Sequence, residues 1–381
     1  MKARIGVIGT GWWSTAAHLP ALVGNPDADL VGIADLRPAV LRKAADHYGI
    51  ETTCTDYHEL LDRHELDGAV VAVWHAAHFE VARAVLERGL HLLLEKPMVL
   101  RANHARELIR LAERRERQII MSYPWQFIDM SLRVRDVVAG GTLGPIHYVS
   151  NTFSSEPLYL YRGDDRAGDP EMAAAYPVVG PGDVYSDPER SGGGQGHLQI
   201  THSAALMFFL TGSRAALVTA MMNHLDVAVD VADAITVRME DGCLATVGST
   251  GGVTHAEGKL DLQLYGTEGW IDLDYIEGTG TIYHADGTVE ALACDPSAYA
   301  GQPGSDCPGA GASYPAHLPS ANLVDVILGR DRNRSPGTWG WRSVELLDAA
   351  YRSAARDGQP VSIASLYDDS QVPHQTDVHG K

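Results

Sequence analysis

The stretch Arg4-Ile5-Gly6-Val7-Ile8-Gly9-Thr10-Gly11 constrains the fold more than any other. An apolar, β-branched run ends in two spaced glycines and passes into a helical pattern through His18 and Leu22. Strand, glycine turn and helix in that order form a cradle for phosphate. The first glycine permits a tight turn, the second lets the backbone approach a pyrophosphate, and the helix N-terminus supplies free N–H groups. Gly9 and Gly11 are therefore read as cofactor-binding. The third position of the G-x-G-x-x-G pattern is Ser14, so a plain strand-to-helix turn stands as the competing reading. Asp35 ends the next apolar run, where a carboxylate accepts both hydroxyls of an adenosine ribose. Its charge would repel a 2′-phosphate and favours NAD. Arg37 could serve such a phosphate, which leaves NADP open.

Strand patterns at 4–8, 29–35, 68–74, 91–94 and 118–123 alternate with helical ones at 38–48, 78–88 and 103–116. That alternation predicts a doubly wound parallel sheet, an α/β Rossmann domain over residues 1–123. After residue 124 the rhythm changes. A helix at 131–139 and a strand at 145–152 lead into 155–194, rich in Gly, Pro, Asp and Tyr and read as a lid or arm. A helix at 196–210 precedes strands at 214–221, 233–239, 243–249, 260–265 and 270–274, with helices at 317–328 and 341–355. This predicts a second α/β domain, 124–367, around a large, mostly antiparallel open sheet. Residues 368–381 read as a loose tail.

The 381 residues carry 49 acidic against 30 basic side chains, a formal charge of −19, with no basic run. That balance argues against nucleic-acid or anionic-membrane partners. Cys54, Cys243, Cys294 and Cys307 form no CxxC pair, and no leader-like or membrane-length apolar run is evident, so a cytoplasmic protein is expected. His197 and His202 lie five apart with no Cys or carboxylate at ligand spacing, so no metal is expected.

Glu95-Lys96-Pro97 follows an apolar strand at the carboxyl edge of the first sheet, the edge along which such sheets bind ligands. A lysine there can hold a substrate hydroxyl and stabilise the charge left when its proton goes. With IGVIGTG at 5–11, Asp35, His78, GGG at 192–194, His202, LYGTEGWIDLD at 264–274 and the ending at 344–363, the chain resembles the Gfo/Idh/MocA family. That family is named for glucose–fructose oxidoreductase and inositol dehydrogenase. The resemblance implies an NAD(P)-dependent dehydrogenase or reductase acting on the CH–OH of a sugar or polyol. It also implies a homodimer or homotetramer assembled through the C-terminal sheet. It places Lys96 beside nicotinamide and the reacting carbon, often after a cis Lys–Pro bond that would fix the lysine's direction. Trp12, Trp13, Val73, Trp74, His75, His78, Glu95, Lys96 and Trp125 are expected along the cofactor edge.

The chain departs from the family in places. Relatives carry an aspartate four residues before the helix histidine; here that position is Leu198. Trp74-His75-Ala76 stands where Thr-Pro-Asn is usual, and Tyr123-Pro124-Trp125-Gln126 where an arginine is common. On an α-helix, residues 195, 198, 199 and 202 share a face, so Gln195, Gln199 and His202 are expected along one pocket wall. Tyr159, Tyr161 and Arg162 are expected to close over a sugar. The expected chemistry is reversible hydride transfer, with His202 as general base and Lys96 holding the oxygen. Its rivals are an NAD-cycling enzyme that cleaves glycosides by oxidation and elimination, and a non-catalytic dinucleotide-binding protein.

Overall fold

The computed structural model describes residues 1–164, 170, 178, 180, 182–254, 258–305 and 314–368. Cys307, the tail from 369 and most of 165–181 within the expected lid lie outside the described residues.

Six parallel strands form the first sheet: β1 (Ala3–Ile8), β2 (Ala28–Ala34), β3 (Thr53–Cys54), β4 (Gly68–Val71), β5 (His91–Leu94) and β6 (Ile119–Met121). Their order is β3-β2-β1-β4-β5-β6. Helices cover both faces, which is why Ile5, Val7, Val70, Leu92 and Leu93 are fully buried and these strands read as unbroken apolar runs. Strand order reverses between β1 and β4, the point at which such sheets bind ligands in a crevice beyond the strand carboxyl ends.

Nine strands form the second sheet: β7 (Ile146–Ser154), β8 (Ala215–Asn223), β9 (Ala232–Met239), β10 (Leu244–Thr250), β11 (Lys259–Gly266), β12 (Gly269–Asp274), β13 (Thr279–His284), β14 (Val289–Ala293) and β15 (Val361–Ser362). Their order is β14-β13-β12-β11-β7-β10-β9-β8-β15, and only the β7–β10 pair is parallel. The inner face, with Ile235, Val237, Val247 and Leu262, is buried under helix Thr201–Thr211 and helix Gly337–Ala354. Among the described residues no helix is long and apolar enough to cross a membrane.

The boundary expected at residue 123 does not describe the packing of the helix Leu318–Ile327. Its Leu323 and Val324 belong to the core of the first sheet with Ile5, Val7 and Ile33. The chain then adds to that sheet's β6 edge, where Ser335 O accepts the Met121 N–H at 2.7 Å.

Candidate active site

The cradle at the end of β1 is built as its glycines require. Gly9 has φ +94°, and a Cβ there would lie 2.3 Å from the Ala72 carbonyl oxygen, so no other residue fits without moving β4. A Cβ on Gly11 would meet only the Arg37 Nη2 at 3.8 Å. The space over Gly11 is thus open to a pyrophosphate at the helix N-terminus, and these residues fit a dinucleotide. Trp13 turns inward against Tyr314 at 6.1 Å, while Trp12 meets Tyr185 edge-on at 6.1 Å. Tyr185 reaches across from the second domain and also meets His75 at 5.6 Å. Asp35 closes β2 as expected, with its carboxylate held by Thr10 and Arg37. Trp74 lies under the Arg190 guanidinium at 5.7 Å.

The Lys96–Pro97 peptide is cis. Glu95 does not face the crevice: it is 6% exposed and acts as an internal anchor. Its Oε1 lies 2.9 Å from His18 Nε2, its Oε2 accepts the Lys96 N–H at 3.1 Å, and His18 Nδ1 lies 2.9 Å from Ser320 Oγ. Burial works to raise the Glu95 pKa, but the His18 hydrogen bond and the nearby positive charges hold it below its ordinary value. His78 braces the same loop, with Nδ1 at 2.7 Å from Pro97 O and Nε2 at 3.0 Å from Val73 O.

Lys96 Nζ crosses to the second domain and donates to the Leu198 carbonyl oxygen at 3.2 Å. Burial lowers its pKa to about 8, partly opposed by Glu95. Leu198 sits in a π-turn, Gly196–Ile200, that opens the helix leading to His202. His202 is 5% exposed and boxed edge-on by Tyr123, Trp125 and Tyr314, at 5.8, 5.7 and 6.0 Å. Its Nδ1 finds no hydrogen-bond partner. Burial, followed by the charge of Lys96, pushes its pKa well below the ordinary range. His75, with Nδ1 at 2.8 Å from Ser191 O, and His197, stacked on Tyr351 at 4.6 Å, are also kept neutral, chiefly by burial.

The substrate wall differs from the expectation. A π-turn widens the spacing of residues on a face, so Gln195 and His202 are not presented together as on an α-helix. Gln195 is sealed in the interior, donating to Ser249 Oγ at 2.7 Å and accepting from Tyr161 OH at 2.7 Å. Tyr161 is therefore a brace, 1% exposed, and not a face for a sugar ring. Arg162 points to solvent and pairs with Asp226 at 3.1 Å. Tyr159 packs partly buried with Trp12 around Tyr185 and Leu198. Gln199 is half-buried on the π-turn.

Sequence reading missed His18, Ser320, Tyr185 and Asp230. Asp230 is fully buried and accepts from Gly194 N, Gly196 N and Tyr351 OH at 2.7, 2.8 and 2.8 Å, capping the turn that carries Leu198. An apolar helix with one histidine a turn past the glycine loop was the available signal for His18.

Residues 3–123 match an oxidoreductase family with an NAD-binding Rossmann fold, and residues 131–272 match the GFO/IDH/MocA C-terminal domain. The chain belongs to the Gfo/Idh/MocA oxidoreductase family. Among curated relatives, a dTDP-3,4-didehydro-2,6-dideoxy-alpha-D-glucose 3-reductase of Streptomyces violaceoruber is 29% identical over 181 residues. That match covers 46% of this chain and 52% of the relative, so the chain spans about half of the relative's length. An enzyme of the same name from Saccharopolyspora spinosa is 25% identical over 271 residues, covering 71% of this chain and 74% of the relative. The solved structure of GenD2 from gentamicin A biosynthesis, in complex with NAD, superposes with a TM-score of 0.73 at 24% identity. It covers 95% of this chain and 96% of that one, a likeness of fold.

Proposed function

We propose that the protein is an NAD-dependent dehydrogenase or reductase acting on a secondary alcohol, or the matching ketone, of a sugar, glycoside or cyclitol. One observation carries the reading: Lys96, from the cofactor domain, donates to the Leu198 carbonyl one turn before His202, close enough for its charge to reach the buried imidazole. The curated relatives named above, reductases of a dTDP-linked keto sugar, support the substrate class.

When bound, NAD supplies the hydride acceptor at the nicotinamide ring. The chain's own residues handle the proton. In oxidation the substrate C–H bond gives up hydride, the hydroxyl proton passes to the neutral Lys96 amine, and a C=O bond forms; reduction reverses each transfer. The expectation gave the base role to His202. Its burial beside Lys96 makes an imidazolium costly, so His202 serves better as a neutral hydrogen-bonding group that orients the oxygen. Lys96, near neutrality in its acid–base balance, takes the proton. Glu95, clamped by His18 and its own backbone contact, aims the lysine. Burial of Tyr123, Trp125 and Tyr314 keeps water from His202.

A second reading, NAD-cycling cleavage of a glycoside, is favoured by one departure: Leu198 stands where relatives carry an aspartate four residues before the helix histidine, so the site around Lys96 and His202 is not that of an ordinary relative. For assembly, the outer face of the second sheet offers a row of rings, Tyr148, Tyr265, Trp270 and Tyr283, at 5.9, 5.5 and 4.2 Å between neighbours. This is the surface proposed for a homo-oligomer.

A panel of polyols, glycosides and keto sugars with NAD or NADH, followed by absorbance and product analysis together, tests the reading. Stoichiometric NADH supports the dehydrogenase; sugar release without lasting absorbance change supports the cycling enzyme. Tight NAD binding with neither outcome refutes both.

A further inference from the structure

We propose that Asp230 is a positioning residue for Lys96: its carboxylate gathers the start of the π-turn and so holds the Leu198 carbonyl where the lysine can reach it. The inference rests on the reading of Lys96 as the group that handles the proton, and it gives the glycine run at 192–194 a physical reason.

Three consecutive backbone N–H groups close on this one residue. Gly194 N donates to Asp230 Oδ1 at 2.7 Å, Gln195 N to the Asp230 carbonyl oxygen at 2.9 Å, and Gly196 N to Asp230 Oδ2 at 2.8 Å. These are the donors that the opening turn of a helix leaves without partners of its own. Leu198 N then donates to Gly194 O at 2.9 Å, and Leu198 O accepts from Lys96 Nζ at 3.2 Å. An unbroken run of hydrogen bonds and peptide units thus joins Asp230 to the lysine. The approach is so close that side chains are shut out. A Cβ on Gly194 would lie 2.0 Å from Asp230 O, and a Cβ on Gly193 or Gly196 would lie 2.2 or 2.6 Å from the Tyr351 hydroxyl. Any larger residue would push the anchor off the turn.

The anchor is itself held from behind. Asp230 is fully buried, and its Oδ1 also accepts from Tyr351 OH at 2.8 Å, while the Tyr351 ring stacks on His197 at 4.6 Å. Three donors on a carboxylate with about four acceptor sites leave one site open. Asp233 stands beside it, 5% exposed, with no donor on either oxygen. Burial first, and the neighbouring Asp230 charge second, raise its pKa to about 9, so at neutral pH it carries a proton that it can donate to Asp230. Tyr161, Tyr351 and His197, the other titratable groups facing the pair, are kept neutral chiefly by burial, and Asp348 lies beyond His197. The cluster therefore fixes one carboxylate in place without needing a cation of its own.

The chain has five lysines, so a pH titration of the full-length protein labelled with carbon-13 at lysine Cε reads Lys96 by nuclear magnetic resonance without a substrate. The Lys96 signal is the one absent from Lys96→Arg. In the wild type its midpoint should lie at about 8. Asp230→Asn keeps the size of the side chain, but its amide must turn N–H groups toward the N–H of Gly194 or Gly196, and the turn should relax away. The ammonium then loses its carbonyl acceptor, and the midpoint should fall by about one pH unit, a tenfold change in the equilibrium. Tyr351→Phe removes one donor from Oδ1 and should move the midpoint the same way by less; it keeps the test available if Asp230→Asn does not fold. A thermal melt is run beside each titration, because a merely structural cap would lower the melt and leave the midpoint alone. A folded Asp230→Asn with the wild-type midpoint, or with one that climbs, overturns the inference alone. A wild-type Lys96 that does not titrate near 8 overturns the proton-handling reading with it.

Discussion

Replacing Lys96 by arginine separates proton transfer from simple charge. In the wild type the pKa of Lys96 falls from 10.5 to about 8 because the ammonium is buried, with Glu95 as a partial counterweight. That drop is worth on the order of 3 kcal/mol against the charged form. At about pH 7 roughly nine-tenths of the lysine holds its proton, and at about pH 9 roughly nine-tenths has lost it. If the neutral amine takes the hydroxyl proton, kcat/KM for oxidation should rise about tenfold across that range and level off above it, while reduction should fall over the same range. Arginine stays protonated throughout, so Lys96→Arg should lose both the rise and most of the rate, about a hundredfold or more. The assay is initial-rate NADH absorbance in both directions on whichever substrate the panel yields. A flat profile in the wild type refutes the reasoning. So does a rise with the same midpoint in Lys96→Arg, which would move the proton-transfer role to another group.

Gly9→Ala should cost about 3 kcal/mol and abolish NAD binding, because its Cβ would lie 2.3 Å from the Ala72 oxygen at a φ of +94°; a melt and a titration read the two effects separately. His18→Leu leaves the buried Glu95 Oε1 without its donor, at about 1–3 kcal/mol. The Glu95 pKa should rise, its charge should support Lys96 less, and the midpoint of the rate profile should move down; an unchanged midpoint counts against the anchor role. Asp233, 5% exposed and near Asp230, has its pKa raised from 3.8 to about 9, mainly by burial. Between those values the folded chain holds a proton that the unfolded chain has released, so stability falls as pH rises through the window. Asp233→Asn removes that loss and should gain about 2 kcal/mol or more in urea melts at about pH 8, and less at about pH 5. Identical pH trends in the two proteins would show that Asp233 is ionised in the fold.

What was legible in the sequence had local causes. The β1 run, the Gly9 turn and the Glu-Lys-Pro loop carry their geometry in a few consecutive residues, and the parallel sheet followed from alternating periods. His202 was reachable only through resemblance, since a histidine on a buried helix looks the same whether it serves a pocket or the core. The Lys96 partner was not legible, because it is a backbone carbonyl exposed by a π-turn and carries no side-chain signal. The His18–Glu95 and His18–Ser320 contacts join residues 77 and 302 apart. Tyr161 and Gln195 misled for a related reason: polar groups that satisfy each other inside resemble, in sequence, polar groups waiting for a ligand. Strands β13 and β14 were missed because the sheet's edge leaves most of their side chains half-exposed or exposed, which blurs the two-residue alternation.

The helix Leu318–Ile327 gives the chain an unusual order of assembly. Its Leu323 and Val324 complete a core begun by Ile5 and Val7, and its Ser320 steadies the histidine behind the Glu95-Lys96-Pro97 loop. A ribosome therefore finishes the part it starts first only after nearly all of the second domain has emerged. Fragments ending near residue 123 should be poorly soluble, whereas grafting residues 314–340 back onto them should rescue a folded half.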